Sequence, residues 1–253
     1  MLALSVRECK LVNPRRCPTA EGYRAAMAEM HDATEEYLET ILELEEEGII
    51  PIRARLVERL GVSAPAVSEH VNRLVDGGYT ELMDDRSLRL TEKGRTLATT
   101  VVRRHRLAER LLVDIIGLEW EKVHKEADLW EHAISADVEE KLIALLGDPA
   151  TCPHGNPIPG SKHRNDTSKH VSLVDAAPGP VTVVRISEKL ELDATALGIL
   201  AEGQLIPGND ANVVTVGPTG VTVKTGSGTH VVPDAVARLM WVTVAGEPTA
   251  HPR

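Results

Sequence analysis

The sequence predicts a two-part protein. A mainly α-helical first half holds a winged helix-turn-helix followed by longer helices, and a small β-barrel follows. Three observations point there. Apolar residues recur at helical spacing between residues 32 and 146, and an Arg-tipped hairpin interrupts them near residue 86. Beyond residue 180, short runs rich in Val, Thr and Ile alternate with Gly-Pro and Gly-Ser turns. The 253 residues, 42% of them apolar, suffice for more than one core. Phe is absent and aromatics make up 2%, so those cores are aliphatic, and binding of single strands on aromatic platforms is disfavoured.

No apolar run approaches the roughly 18 residues of a membrane span, and residues 1–30 lack the apolar core of a secretory signal. With three unclustered cysteines, Cys9, Cys17 and Cys152, a reducing cytoplasm is expected and a membrane partner is not.

Taken in order, residues 1–30 read as a tail in which Met27 and Met30 are alternative starts. A helix over Asp32–Glu47 follows from Tyr37, Leu38, Ile41 and Leu42, and Gly48 stops it. Helices at 53–60 and 64–76 flank Gly61-Val62-Ser63, with Ser63 as the cap and Pro65 in the first turn. Tyr79–Met83 and Ser87–Thr91 form the hairpin, turned at Asp84-Asp85-Arg86. Long helical stretches run from Thr96 to Ile116 and from Trp120 to Leu146, the second broken near Ser135. Residues 31–95 thus form the winged helix-turn-helix, 96–150 a helical domain, 151–180 a Pro-rich linker, and 181–245 the β domain.

The net charge of −10 hides an uneven distribution: residues 31–50 hold eight acids and no Lys or Arg, whereas residues 51–95 hold eight basic and seven acidic residues. A cation belongs where the acids are, and a phosphate backbone where the arginines are. The second helix of the helix-turn-helix would enter a major groove. Its small residues Ser63, Ala64, Pro65 and Ser68 allow close approach to base edges, while Arg53, Arg73 and Arg86 would grip phosphates. Glu69 suits such a groove only if it accepts from a cytosine amino group. Winged helices also serve as protein-interaction modules, but small uncharged groups suit a groove better than an apolar interface.

In H-K-E-A-D-L-W-E-H, His124, Asp128, Glu131 and His132 share one helix face. His105 and Glu109 sit one turn apart on an otherwise apolar face, where an unpaired carboxylate is costly and a divalent cation is a ready partner. Glu36, Glu39 and Glu43 project together from the first helix, which taken alone is a solvated face.

The run E-E-Y-L-E-T-I-L-E-L-E-E-E-G, the wing D-R-S-L-R-L-T-E-K-G-R, then R-R-H-R-L-A-E-R-L-L, W-E-H and G-N-P-I-P-G resemble the diphtheria-toxin-repressor family of metal-dependent transcriptional regulators. The resemblance spans about residues 31–160 and, more weakly, the β-rich end, which is similar to the family's SH3-like domain. It implies a homodimer in which Fe²⁺ or Mn²⁺ is the corepressor, linking the DNA-binding domain at 31–95 to the metal-binding and dimerisation domain at 96–150, with an SH3-like domain at 181–245. It maps the iron-responsive branch's primary site to Glu36, Asp128, Glu131 and His132, with carboxylates at Glu36 and Asp128 in place of that branch's methionine and cysteine. The manganese-responsive branch has carboxylates there, and its paired acids and shared histidine match Glu36, Glu39 and His105. Hard oxygen ligands suit Mn²⁺. The ancillary site of the long members maps to His105, Glu109 and His124, with Asp193 as one ligand from the β domain and the other position near Ala196, which cannot ligate. Removal of residues 161–253 is therefore expected to leave a metal-responsive DNA binder. Glu69 stands where the toxin repressor has glutamine, so the operator sequence does not carry over.

The expected protein is a cytoplasmic, non-enzymatic repressor activated by Mn²⁺ that binds palindromic double-stranded operator DNA as a homodimer and controls metal-uptake genes. Fe²⁺ is the alternative ion, and other divalent first-row metals would substitute in vitro. A di-metal carboxylate oxidase is the alternative from another class, but it needs Glu-x-x-His on two helices and only one helix carries a cluster. Cys152, His154 and His163 offer zinc-type donors, yet without a Cys-x-x-Cys pair the stretch around Pro153 reads as a plain loop.

Overall fold

Helix α1 (Ala33–Glu46) buries Tyr37, Leu38, Ile41 and Leu42, the residues whose spacing defines it. The computed structural model describes residues 33–163 and 167–244, so the tail read at 1–30 lies outside the described residues. Helices α2 (Arg53–Leu60) and α3 (Ala64–Asp76) meet at Gly61, whose φ of +67° closes α2 in the left-handed conformation that glycine tolerates. Ser63 caps α3 by accepting from the Ala66 amide. Strands β1 (Thr80–Leu82) and β2 (Leu88–Leu90) pair antiparallel as the wing. An aliphatic core that includes Leu38, Ile41, Leu56, Val67, Val71 and Leu74 lies under them.

Helix α4 (Glu92–Arg110) starts four residues earlier than its apolar periodicity predicts, because Thr91 caps it by accepting from the Gly94 amide at 3.1 Å. Gly94 lies so near the Tyr79 carbonyl that a Cβ there would collide. The helix ends in a π-helical turn, Leu111–Ile116, closed by Gly117. A 3₁₀ turn (Trp120–Lys122), α5 (Val123–Trp130) and α6 (Ala136–Leu146) follow, with Ser135 capping α6 where the break is expected. A second core joins Leu107, Leu112, Val123, Ala127 and Leu142. Ile115, Ile116 and Leu145 remain more than half exposed on this unit.

The C-terminal part is a six-stranded antiparallel sheet in the order β3-β8-β4-β5-β6-β7. It comprises β3 (Val171–Ser172), β4 (Gly179–Ile186), β5 (Asp210–Gly217), β6 (Gly220–Thr225), β7 (Gly228–Pro233) and β8 (Met240–Val244). Three helices accompany it: α7 (Glu188–Glu191) and α8 (Ala194–Glu202) between β4 and β5, and α9 (Asp234–Ala237) before β8. Val183, Ile186, Leu197, Val221, Met240 and Val242 belong to its core. No described helix is long and apolar enough to cross a membrane.

The stretch read as a linker is in part an internal strap. Thr151, Cys152, His154 and Asn156 are no more than 4% exposed. The Cys152 amide donates to the Asn156 carbonyl at 2.8 Å, and the Ile186 amide of β4 donates to the His154 carbonyl at 2.9 Å. Gly155, at φ +86°, passes so close to the Val184 carbonyl that no side chain fits. Prolines and glycines here set a tight turn against the sheet instead of a free connection.

Candidate metal centre

Helix α4 carries His105 and Glu109 one turn apart, both fully enclosed, and four elements converge on them. Glu39 and Glu43 come from α1, and His124 and Asp128 from α5, with Glu131 and His132 in the turn after it. Helix α7 supplies Glu188 and Glu191, and the strap supplies Cys152 and His154. The donor atoms fall into overlapping sets, each within 4.8 Å: Glu39–His105–Glu131, His105–Glu109–His124, His124–Glu188–Glu191, and Glu109–Cys152–His154.

In the outer set, His105 Nδ1 lies 2.5 Å from Glu131 Oε2 and 3.5 Å from Asp128 Oδ1. His132 contacts Glu35 Oε2 through Nδ1 at 2.5 Å and Glu131 Oε1 through Nε2 at 3.1 Å. A cavity of about 370 Å³ opens beside them, lined also by Glu36 and Glu39. In the inner set, His105 Nε2 is 3.1 Å from His124 Nδ1 and 3.5 Å from Glu109 Oε1. His124 Nδ1 is 3.2 Å from Glu191 Oε2, and His154 Nδ1 is 2.9 Å from both Glu109 Oε1 and Glu191 Oε2.

Electrostatics shows how heavily these acids crowd. Burial, then Glu131, pushes the Glu39 carboxyl well above its usual range, and burial raises Glu43 to about 7 against the pull of Arg106 and Arg59. Burial, then Glu191, also raises Glu188 well above its usual range. Burial disfavours charge on His132, but Glu131 and Glu35 outweigh it and lift the imidazole to about 9. His105, His124 and His154 are raised well above the ordinary value by the same contest. Glu109 Oε2, Glu188 Oε2 and His154 Nε2 are buried without a hydrogen-bond partner among the described residues. Buried nitrogen and oxygen atoms without partners inside such a cluster fit a divalent cation, which would replace protons as the compensating charge.

Most of the expected ligand positions converge here. Glu36 lines the cavity without joining the tightest sets, and Asp128 sits at its rim, 43% exposed. Asp193 does not join them: its carboxylate caps α8, accepting from Thr195 N at 3.1 Å and Ala196 N at 3.0 Å, because free amides at a helix start compete for it. The β domain contributes Glu188 and Glu191 instead, two acids three apart behind the cap residue Ser187. That spacing repeats the Glu36–Glu39 pattern, and it was the available signal. Cys152 and His154 were read as a plain loop; burial pushes the Cys152 thiol up to about 12. Arg106, fully buried, joins the three parts: it donates to Glu46 of α1, Glu188 of α7 and the Pro157 carbonyl.

On the reading head, α3 buries Val67, Val71 and Leu74 and exposes Ala64, Pro65, Glu69 and Arg73. Glu69 and Arg73 pair with each other, Ser68 Oγ donates to the Ala64 carbonyl, and Arg53 Nη2 donates to Asn72 Oδ1 at 3.1 Å. Arg86 stands exposed at the wing tip with φ +67°.

A winged head seated on clustered acids and histidines is the build of a metal-dependent transcriptional repressor. The N-terminal DNA-binding domain of the iron-dependent repressors matches residues 29–88, and their metal-binding and dimerisation domain matches residues 91–160. The iron-dependent repressor IdeR of Mycobacterium tuberculosis is 46% identical over 207 residues, covering 78% of this chain and 90% of the relative. The diphtheria toxin repressor of Corynebacterium diphtheriae is 44% identical over 196 residues, covering 74% and 87%. Among solved structures, a manganese-dependent transcriptional repressor in complex with manganese superposes with a TM-score of 0.73 at 32% identity, covering 83% of this chain and 99% of that one. IdeR from T. acidophilum gives 0.68 at 30% identity, covering 83% and 97%. The chain belongs to the iron-dependent repressor family, that of the diphtheria toxin repressor.

Proposed function

We propose that this chain is a cytoplasmic, Mn²⁺-activated repressor of metal-uptake genes that binds palindromic operator DNA as a homodimer. The observation that carries the metal assignment is the outer donor set, in which Glu39, His105, Asp128 and Glu131 converge without a sulfur atom. Glu36 and His132, which line the same cavity, would complete a hard oxygen and nitrogen shell, which favours Mn²⁺ relative to a sulfur-bearing site. A bound ion would supply positive charge between α1 and the α4–α5 pair, so that the carboxylates of α1 would no longer repel Asp128 and Glu131 and the reading head would be held against the dimerisation unit.

An inner ion would be held by Glu109, His124, Glu188 and Glu191, with His154 and Cys152 behind them. Because two of these are on α7, the β domain takes part in the response, and its removal would weaken the switch rather than leave it untouched. The exposed Ile115, Ile116 and Leu145 supply an aliphatic dimer face. At the DNA, the start of α3 would face the groove and the wing with Arg86 would reach the backbone.

The test is a change of donors. Glu36→Met/Asp128→Cys introduces a thioether and a thiolate, so Mn²⁺ activation of DNA binding should fall by about tenfold or more relative to Fe²⁺ or Co²⁺. An unchanged ratio between metals, measured anaerobically at fixed salt, removes the manganese assignment.

A further inference from the structure

One imidazole is claimed by both donor sets. His105 is 3% exposed, fixed in the middle of α4, with its Nδ1 toward Glu131 and Asp128 and its Nε2 toward His124 and Glu109. It counts among the Glu39–His105–Glu131 set and the His105–Glu109–His124 set alike. A neutral imidazole has one lone pair and one N–H, so it ligates through one nitrogen and donates through the other. If Nδ1 takes an ion on the Glu131 side, the N–H stands on Nε2 and points at Glu109 and His124. The inner set then loses a ligand and faces a hydrogen-bond donor in its place.

The alternative donors lie on the far side of that same set. His124 Nδ1 is 3.2 Å from Glu191 Oε2 and 3.9 Å from Glu188 Oε2, and Glu188 Oε2 has no hydrogen-bond partner among the described residues. Building on the metal reading above, we propose that His105 sets the two centres against each other. An ion in the outer set takes His105, weakens the inner ion, and leaves that ion dependent on Glu109, His124 and the α7 pair Glu188 and Glu191. Outer loading thereby shifts the inner site toward the β domain. Release of the outer ion returns His105 Nε2 to the inner one.

Mn²⁺ binding to the full-length protein, followed by electron paramagnetic resonance, tests this. The inner step is identified as the one lost in Glu191→Gln. In Glu39→Gln, which keeps the shape of the outer set but weakens its hold, the inner Mn²⁺ should bind about tenfold tighter than in wild type. Adding His105→Gln to that variant should cancel the gain. Pulsed spectra should show one more histidine nitrogen on the inner ion in Glu39→Gln than in wild type.

An inner affinity that is unchanged or lower in Glu39→Gln overturns the proposal. So does a gain that survives His105→Gln, which would be repulsion between ions alone. Two independent steps in wild type would overturn this inference and spare the metal reading, whereas wild-type protein that binds no Mn²⁺ would overturn both.

Discussion

Helix α1 has two faces that do different work. Leu38 and Ile41 face the core beneath the reading head, in one mainly aliphatic cluster with Leu56, Val67, Val71 and Leu74. Glu39 and Glu43 face the acid and histidine seam, where Glu131, Glu188 and Glu191 crowd four histidines. The first face needs only exclusion of water, so the head can fold without an ion. The second leaves buried charge for something else to compensate, so on the proposed reading the join between head and dimerisation unit is where an ion would act. Stability and metal response should therefore separate along one helix.

The largest expected effect breaks the first face. Leu56→Ala, at a fully buried position, should cost about 2–5 kcal/mol of unfolding free energy while the folded protein keeps its Mn²⁺ affinity. A matching loss of metal affinity, by denaturant titration and equilibrium dialysis, would mean that the two faces are not separable. On the second face, Glu131→Ala should lower Mn²⁺ affinity by about 100-fold and remove metal-dependent DNA binding. Its far-ultraviolet dichroism should match wild type, and unfolding of the head would count against the comparison.

A third effect is the pH dependence of loading. Without an ion, His132 titrates at about 9, and ligation requires it neutral. Below that value the outer ion displaces that proton, so outer affinity rises with pH, about tenfold per unit for each proton released. A flat affinity between pH 6 and 8 would contradict the raised histidine. The smallest effect concerns the β domain. Glu188→Gln should lower inner-ion affinity by about fivefold and leave the outer step within about twofold, since among the described residues Glu188 lines the shared cavity but joins only the inner donor set. A truncated protein lacking residues 161–253 with two intact Mn²⁺ steps would show that α7 contributes nothing.

The helical half was legible because its signals are local. Tyr37, Leu38, Ile41 and Leu42 recur at one helix period, Ser63 and Ser135 are caps, and Gly61 and Gly48 are stops. Ligand candidates on single helices were legible too, because His124, Asp128, Glu131 and His132 share a face by spacing alone. What the sequence hid depends on tertiary approach. Glu188 and Glu191 sit on a one-turn helix too short for periodicity, and only the tertiary approach of α7 to Arg106 of α4 and His124 of α5 brings them to the site. Asp193 aligned loosely with a ligand, yet the nearby amides of α8 claim it. The strap at 151–158 looked like a linker because prolines and glycines mark exposed connections and tight buried turns alike. The π-helical close of α4 left no signal, since Leu111–Ile116 continues the same apolar spacing.

The central claim is that a divalent ion in the seam licenses the reading head. It is tested most directly by the affinity of full-length protein for one duplex, obtained by selection from random sequence, in chelator and in saturating Mn²⁺ at the same salt. The account predicts binding at least about 100-fold tighter with Mn²⁺, a difference abolished by Glu131→Ala. Equal affinity in chelator and in Mn²⁺ would contradict it.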